Sequence, residues 1–168
     1  MSVMEFEAPD GETRQVKVSS PDREMWSSEL MDGAAPVTKL ELAEYLVSVS
    51  DGALRAIGDR PITLQRFSDG VGGDEFFSKR PPAGAPAWMR RVTCTYPSRR
   101  RHEQLVIDDT AGLVWMAQMG TITYHPWPVR TANLDNPDEL RIDLDPQPGT
   151  DFGDARRIAV EVLKPILD

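Results

Sequence analysis

The sequence predicts an α+β domain in which mixed and antiparallel sheets are flanked by helices. Two observations carry this. Short runs of alternating apolar and polar residues recur at hairpin spacing, and a few helical stripes are interspersed among them. The length, 168 residues with 40% hydrophobic content, suits one compact domain with its own core.

Two strands open the chain, Val3 to Glu7 and Arg14 to Val18, around the turn Pro9-Asp10-Gly11-Glu12. Ser20-Pro21-Asp22-Arg23 reads as a helix start, with Ser20 as cap and Pro21 in the first turn. Met31 to Pro36 is a loop. Thr38-Lys39-Leu40-Glu41 is a capping box, and Leu42, Leu46, Val49, Ala53 and Ile57 then recur as one buried helical stripe, with Gly52 as a candidate break.

Pro61 to Phe67 and Glu75 to Lys79 read as strands around a flexible Asp69-Gly70 turn. Val92 to Tyr96 and Gln104 to Ile107 form a second hairpin, whose tip holds Arg99, Arg100 and Arg101. Asp109 caps a helix running to Gln118, with Trp115 at its edge. Ile122 to Tyr124 is a short strand, and His125-Pro126-Trp127-Pro128 is a stiff turn that sets an imidazole beside an indole. A last helix from about Asp151 has Ala155, Ile158, Ala159, Val162 and Ile166 as its apolar stripe.

Composition narrows the function classes. One cysteine, Cys94, excludes an internal disulfide framework and a cysteine-based zinc site. The N-terminus lacks the pattern of a signal peptide, and no apolar run approaches the roughly eighteen residues of a membrane span, so a cytoplasmic protein is expected. The net charge of −8 is unevenly spread. Residues 79–102 hold seven basic side chains and no acidic one: Lys79, Arg80, Arg90, Arg91, Arg99, Arg100 and Arg101. Such a block attracts a polyanion whatever the whole-chain sum, although a merely solvated loop has the same composition.

The acidic stretch Arg141-Ile142-Asp143-Leu144-Asp145-Pro146 predicts a strand that places Asp143 and Asp145 on one face, about 6.6 Å apart at about 3.3 Å per residue. Ile142 and Leu144 then face a core. Paired carboxylates repel unless a cation lies between them, and hard oxygen donors suit Mg²⁺ or Mn²⁺ shared with substrate phosphates. Spacing alone equally allows a polar rim that meets only water.

Seven motifs in order carry more information than any one: Ser20 to Arg23, Thr38-Lys39, Asp69-Gly70-Val71 with Phe76 to Arg80, Ala85 to Trp88, Leu105 to Gln118, His125 to Trp127, and Asp143 to Pro146. Together they resemble the polymerase domain of bacterial DNA ligase D, a branch of the archaeo-eukaryotic primase superfamily. The resemblance implies a primase-like fold with an RRM-like core. It also implies a DNA or RNA polymerase-primase activity: template-directed addition of NTP or dNTP at DNA ends or gaps during non-homologous end joining, with Mn²⁺ or Mg²⁺.

Residue by residue, the resemblance makes Asp143 and Asp145 the metal-binding pair and sets His125 by the phosphates of the incoming nucleotide. Lys39 holds a 5′-phosphate, and Arg23 stands where relatives often have a second phosphate-binding lysine. Phe76 and Phe77 stack on template or base-pair edges, although at least one is expected to be core, and Lys79 extends the phosphate-tracking surface. Expected partners are DNA ends or gaps with a 5′-phosphate, NTP or dNTP, and a ligase or end-binding protein of the pathway, in the bacterial nucleoid.

The family's later nucleotide-binding stretch and third metal-binding aspartate have no match. The expectation is therefore a single, incomplete domain over residues 1–168, inactive or weakly active alone and with an uncovered apolar stripe on its last helix. Residues 1–138 would be the N-terminal module with the DNA-binding elements, and 139–168 the start of the catalytic strand–helix core. A non-catalytic module gripping a 5′-phosphate, or a degenerate remnant, is the alternative.

Overall fold

A computed structural model describes residues 1–167 of the chain. It divides into two compact units, Met1–Asp138 and Glu139–Asp168. The first opens on an antiparallel hairpin, β1 (Ser2–Glu7) with β2 (Thr13–Val18), registered Ser2 opposite Val18. Alternation puts Val16 and Val18 on the inner face, where both are buried.

No helix starts at Ser20, contrary to the sequence expectation. Ser20 sits at φ 46°, outside helical space, and Arg23 donates its N–H to Ser20 O in a single turn. The chain then forms β3 (Glu24–Trp26), paired with β4 (Val37–Thr38). Pairing continues as Lys39 N–H donates to Arg23 O and Leu40 N–H to Pro21 O, so long-range partners take the backbone groups that a helix would have used.

Helix α1 (Lys39–Ser48) begins with the expected box, the Thr38 side chain accepting from Glu41 N–H while the Glu41 carboxylate takes Thr38 N–H at 2.7 Å. The break before α2 (Ser50–Ile57) falls at Val49, not Gly52. Ser50 and Asp51 favour the first turn of a new helix over the interior of an old one, and β-branched Val49 is a weak helix former.

Five strands form the main sheet: β5 (Pro61–Phe67), β6 (Glu75–Ser78), β7 (Arg91–Thr95), β8 (Arg101–Val106) and β9 (Thr121–Pro126). β5 is central. One of its edges pairs with β9, and the other pairs with β8 at Pro61–Ile62 and with β6 at Leu64–Phe67. β8 reaches further than expected, so Arg101 lies opposite Thr95 inside the ladder and the tip proper carries Arg99 and Arg100. β9 likewise extends through His125, which pairs with Thr63, so the stiff turn starts later than expected. Pro126 is tolerated because it ends the strand at a sheet edge.

Helix α3 (Thr110–Gln118) lies at the centre, with Ala111 through Ala117 all buried. Trp115, expected at an edge, is buried with the rest. A helix apolar all round must be enclosed, and here Val16, Val18, Ala43, Ile62, Leu64 and Leu105 pack into the same core as Leu113, Val114 and Met116. Two charge clusters tie the periphery. Buried Arg60 donates to both Asp138 oxygens at 2.7 and 2.9 Å. Arg90 bridges Asp108 and Asp59, and Asp59 also accepts from the Thr131 hydroxyl.

The second unit holds α4 (Phe152–Ile158), a wide π turn (Ala159–Leu163) and α5 (Lys164–Leu167). Asp151 caps α4 in a box with Asp154. Pro165 lacks an N–H and crowds the carbonyl four residues earlier, which accounts for the widened turn. The apolar stripe is exposed at Ile158, Val162 and Ile166. Among the described residues, no helix is long and apolar enough to cross a membrane.

Leu113→Ala is expected to cost about 2–5 kcal/mol in urea unfolding, because it opens a void in an enclosed core. The Asp59 carboxyl is held below its ordinary 3.8 by hydrogen bonds from Thr131 and Arg90. Its stabilisation is therefore present above 3.8 and is lost as pH falls through the lower folded value. Thermal melts should show stability falling as pH drops below 3.8, with a shallower fall in Asp59→Asn.

Candidate nucleic-acid interface

Lys39 is the first residue of α1, and the capping box on Thr38 fixes where its side chain starts. The side chain is only 6% exposed, and Nζ donates to Ser19 O at 2.9 Å. Burial, then repulsion from Arg23, pushes the Lys39 ammonium below its ordinary pKa. Arg23 follows the Ser20 turn, donates to Ser68 O and lies 3.5 Å from Asp69.

Arg66, near the end of β5, completes the group. Its Nε donates to Met119 O at 2.8 Å, its guanidinium lies 4.7 Å from the Phe76 ring centroid, and burial holds its pKa below the ordinary value. Arg23, Lys39 and Arg66 line one pocket of about 210 Å³ with Ser68, Gln118 and Gly120. Lys39 and Arg66 are desolvated cations, with the exposed Arg23 beside them, and an incoming anion relieves that cost; a phosphate is of the size and charge that such a pocket accepts.

The pocket's remaining wall is main chain. Gly120 has φ 79°, and a Cβ there would stand 2.8 Å from Phe67 O. Phe67 N–H in turn donates to Gly120 O at 2.7 Å, which locks the end of β5 to the turn after α3. Gln118 accepts from Ser19 N–H and hydroxyl, so the same turn also fixes the segment that holds Lys39.

Sequence reasoning missed Arg66 and Gln118 as members of this group. The available signal was a guanidinium alternating with Ile62 and Leu64 on an otherwise apolar strand face.

Phe76 and Phe77 are both exposed, at 42% and 54%, so neither is core as expected of at least one. β6 is only four residues long and has few inner neighbours to cover it. Phe76 lies opposite Arg66 and Phe77 opposite Gln65, which puts the two rings on opposite faces. Lys79 follows β6 and is exposed.

His125 shares the Phe77 face. Its ring centroid is 5.6 Å from that of Phe77, and Nε2 is 3.4 Å from Gln65 Oε1. The Trp127 indole packs edge-on against Tyr96 at 5.4 Å.

Asp143 and Asp145 belong to the second unit, and both are exposed. The expected strand is absent: residues 139–149 pair with no strand among the described residues. A strand makes its hydrogen bonds only to a neighbour, so an alternating sequence without one does not form a ladder. Ile142 is correspondingly 45% exposed rather than core.

The two acids border a pocket of about 390 Å³ together with Asp154. Asp154 is committed elsewhere, to Arg157 at 2.5 Å and to the cap of α4. No group of three or more His, Cys, Asp or Glu side chains that could hold a metal ion exists among the described residues. The pair therefore does not form an all-protein cage. Two exposed carboxylates do fit a hard divalent cation that is shared with substrate phosphates and water.

Comparison with known proteins adds an independent line. Residues 38–168 match the family model of the LigD primase-polymerase domain. The multifunctional non-homologous end joining protein LigD of Pseudomonas aeruginosa is 36% identical over 138 residues, covering 81% of this chain and 15% of that protein. The bifunctional non-homologous end joining protein LigD of Bacillus subtilis is 33% identical over 131 residues, covering 78% of this chain and 20% of that protein. The chain thus spans a fifth or less of these two relatives.

Among solved structures, the polymerase domain of Mycobacterium tuberculosis ligase D in complex with DNA superposes with a TM-score of 0.62 at 28% identity, covering 68% of this chain and 38% of that one. The α+β architecture expected from the sequence is thereby the primase-like one. On sequence and fold alike, the chain belongs to the LigD primase-polymerase domain family.

Proposed function

We propose that this chain works in DNA repair by non-homologous end joining, as the part of a primase-polymerase domain that grips a 5′-phosphorylated DNA end or gap. The observation that carries the reading is the three-cation pocket of Lys39, Arg23 and Arg66 with the exposed Phe76 ring against Arg66. Lys39 is a point donor already stripped of water, and Arg23 adds planar donors at the mouth. Phe76 and Phe77 offer stacking surfaces, worth about 1–3 kcal/mol per base, and Lys79 continues the cationic track. The related domain solved with DNA supports the ligand class.

For nucleotidyl transfer, Asp143 and Asp145 would hold Mn²⁺ or Mg²⁺, and His125 would donate to a nucleotide phosphate. A divalent cation supplies charge neutralisation for the triphosphate and activation of the primer 3′-hydroxyl. The carboxylates orient that cation from exposed positions. End recognition without chemistry is the second reading. It is favoured by the phosphate pocket being lined wholly by residues of the first unit.

In fluorescence anisotropy, a gapped duplex should bind roughly 10- to 100-fold tighter with a 5′-phosphate than with a 5′-hydroxyl, as expected for charge-assisted hydrogen bonds of about 1.5–3 kcal/mol. Lys39→Met keeps the buried stem and should erase that preference. Equal affinity for the two ends would reject end recognition. Asp143→Ala should leave binding within about twofold. If the chain extends a primer with Mn²⁺, the same variant should abolish extension, and unchanged extension would remove Asp143 from the metal pair.

A further inference from the structure

Lys39 and Gln118 are tied to one and the same residue. Ser19 O accepts from Lys39 Nζ at 2.9 Å, while Ser19 N–H and hydroxyl donate to Gln118 Oε1 at 3.1 and 3.0 Å. Ser19 therefore sets the spacing between an ammonium that begins α1 and an amide that ends α3.

Each cation of the pocket spends a donor on main chain. Lys39 gives one to Ser19 O, Arg66 one to Met119 O and Arg23 one to Ser68 O. Gln118 is held the other way, through its acceptor. Its Nε2 carries two N–H groups, and neither has an acceptor among the described residues. Gln118 lines the pocket with Arg23, Lys39 and Arg66, whereas Ser19 does not. The oxygen of the amide is thus taken by a residue outside the lining, and its nitrogen is what remains for a ligand.

We propose that Gln118 Nε2 donates directly to the 5′-phosphate, as the uncharged partner of Lys39. The inference rests on the reading that this pocket takes a phosphorylated DNA end. A terminal phosphate presents three strong acceptor oxygens, and the pocket meets them with ammonium, guanidinium and amide donors. A further cation at position 118 would be repelled by its neighbours, and a carboxylate there could accept but not donate. The amide adds donors and no charge. Both bonds on Oε1 also hold the side chain in place before the phosphate arrives, so little freedom is lost on binding.

The test uses the purified chain, gapped duplexes with a 5′-phosphate or a 5′-hydroxyl, and proton–nitrogen NMR spectra of the glutamine side-chain amides. The Gln118 signals are assigned by their disappearance in Gln118→Glu. Saturation with the phosphorylated duplex should move them downfield, as the N–H groups take up a charged acceptor, and the hydroxyl duplex should not.

Binding supplies the second readout. Gln118→Glu keeps an acceptor for Ser19 and removes the donor, while Gln118→Met removes both and adds no charge. Each should lower the ratio of phosphate to hydroxyl affinity roughly tenfold, the worth of one hydrogen bond to a charged group. Should Gln118→Met melt early, Gln118→Glu carries the measurement, because the bonds from Ser19 survive in it.

A wild-type chain that binds both ends equally would overturn the reading of the pocket, and this inference with it. With the wild-type preference present, Gln118 signals that respond alike to both duplexes, or a preference intact in both variants, would overturn this inference alone. A preference kept in Gln118→Glu and lost in Gln118→Met would also overturn it, by reducing Gln118 to a support for Ser19.

Discussion

Helix α3 has to be enclosed on every side, and that requirement sets the geometry of the rest of the first unit. Its seven consecutive buried residues bring the β1–β2 hairpin, α1 and the main sheet onto one core. The end of so enclosed a helix is also fixed in position. The turn that leaves it, Gln118-Met119-Gly120, is where Ser19, Arg66 and Phe67 are tied together by hydrogen bonds. Lys39, Arg66 and the more exposed Arg23 line a pocket at the negative end of that helix, where Met119 O accepts from Arg66 Nε and the macrodipole favours cations. The candidate site is thus a by-product of packing as much as of charge.

Local chemistry was legible in the sequence wherever the partners are close along the chain. The Thr38–Glu41 box, the Asp109 cap and the first hairpin depend on neighbours within a few residues, and each stands where the pattern put it. What depended on distant partners was not legible. Ser20 to Arg23 has the composition of a helix start, yet Lys39 and Leu40 take its carbonyls from across the fold. Asp143 to Asp145 alternates like a strand, but alternation supplies faces and not hydrogen-bond partners. The family itself was legible, because the order of motifs survives where any single motif would be ambiguous.

Arg66 illustrates the same limit within the site. Its alternation with Ile62 and Leu64 announces a buried face, and nothing local says that the face ends at a pocket. Phe76 and Phe77 are the converse, since their hydrophobicity argues for a core that a four-residue edge strand does not supply. The net charge of −8 misleads for a related reason. Carboxylates elsewhere are spent on structural pairs such as Arg60–Asp138 and Arg90–Asp59, while the cations of Arg80 and Arg101 stay exposed. Surface potential follows what remains uncompensated, not the sum.

Because one wall of the Lys39 pocket is the backbone of Gly120, evolution and engineering have unequal access to its parts. Any side chain at position 120 would collide with Phe67 O, so that wall cannot acquire charge, bulk or a new donor. Variation is channelled into Arg23, Arg66 and Gln118, whose side chains can change length and hydrogen-bonding pattern while the cavity keeps its outline. A lineage drifting in sequence would therefore be expected to retune how tightly it holds an anion well before it changes the size of anion that it holds.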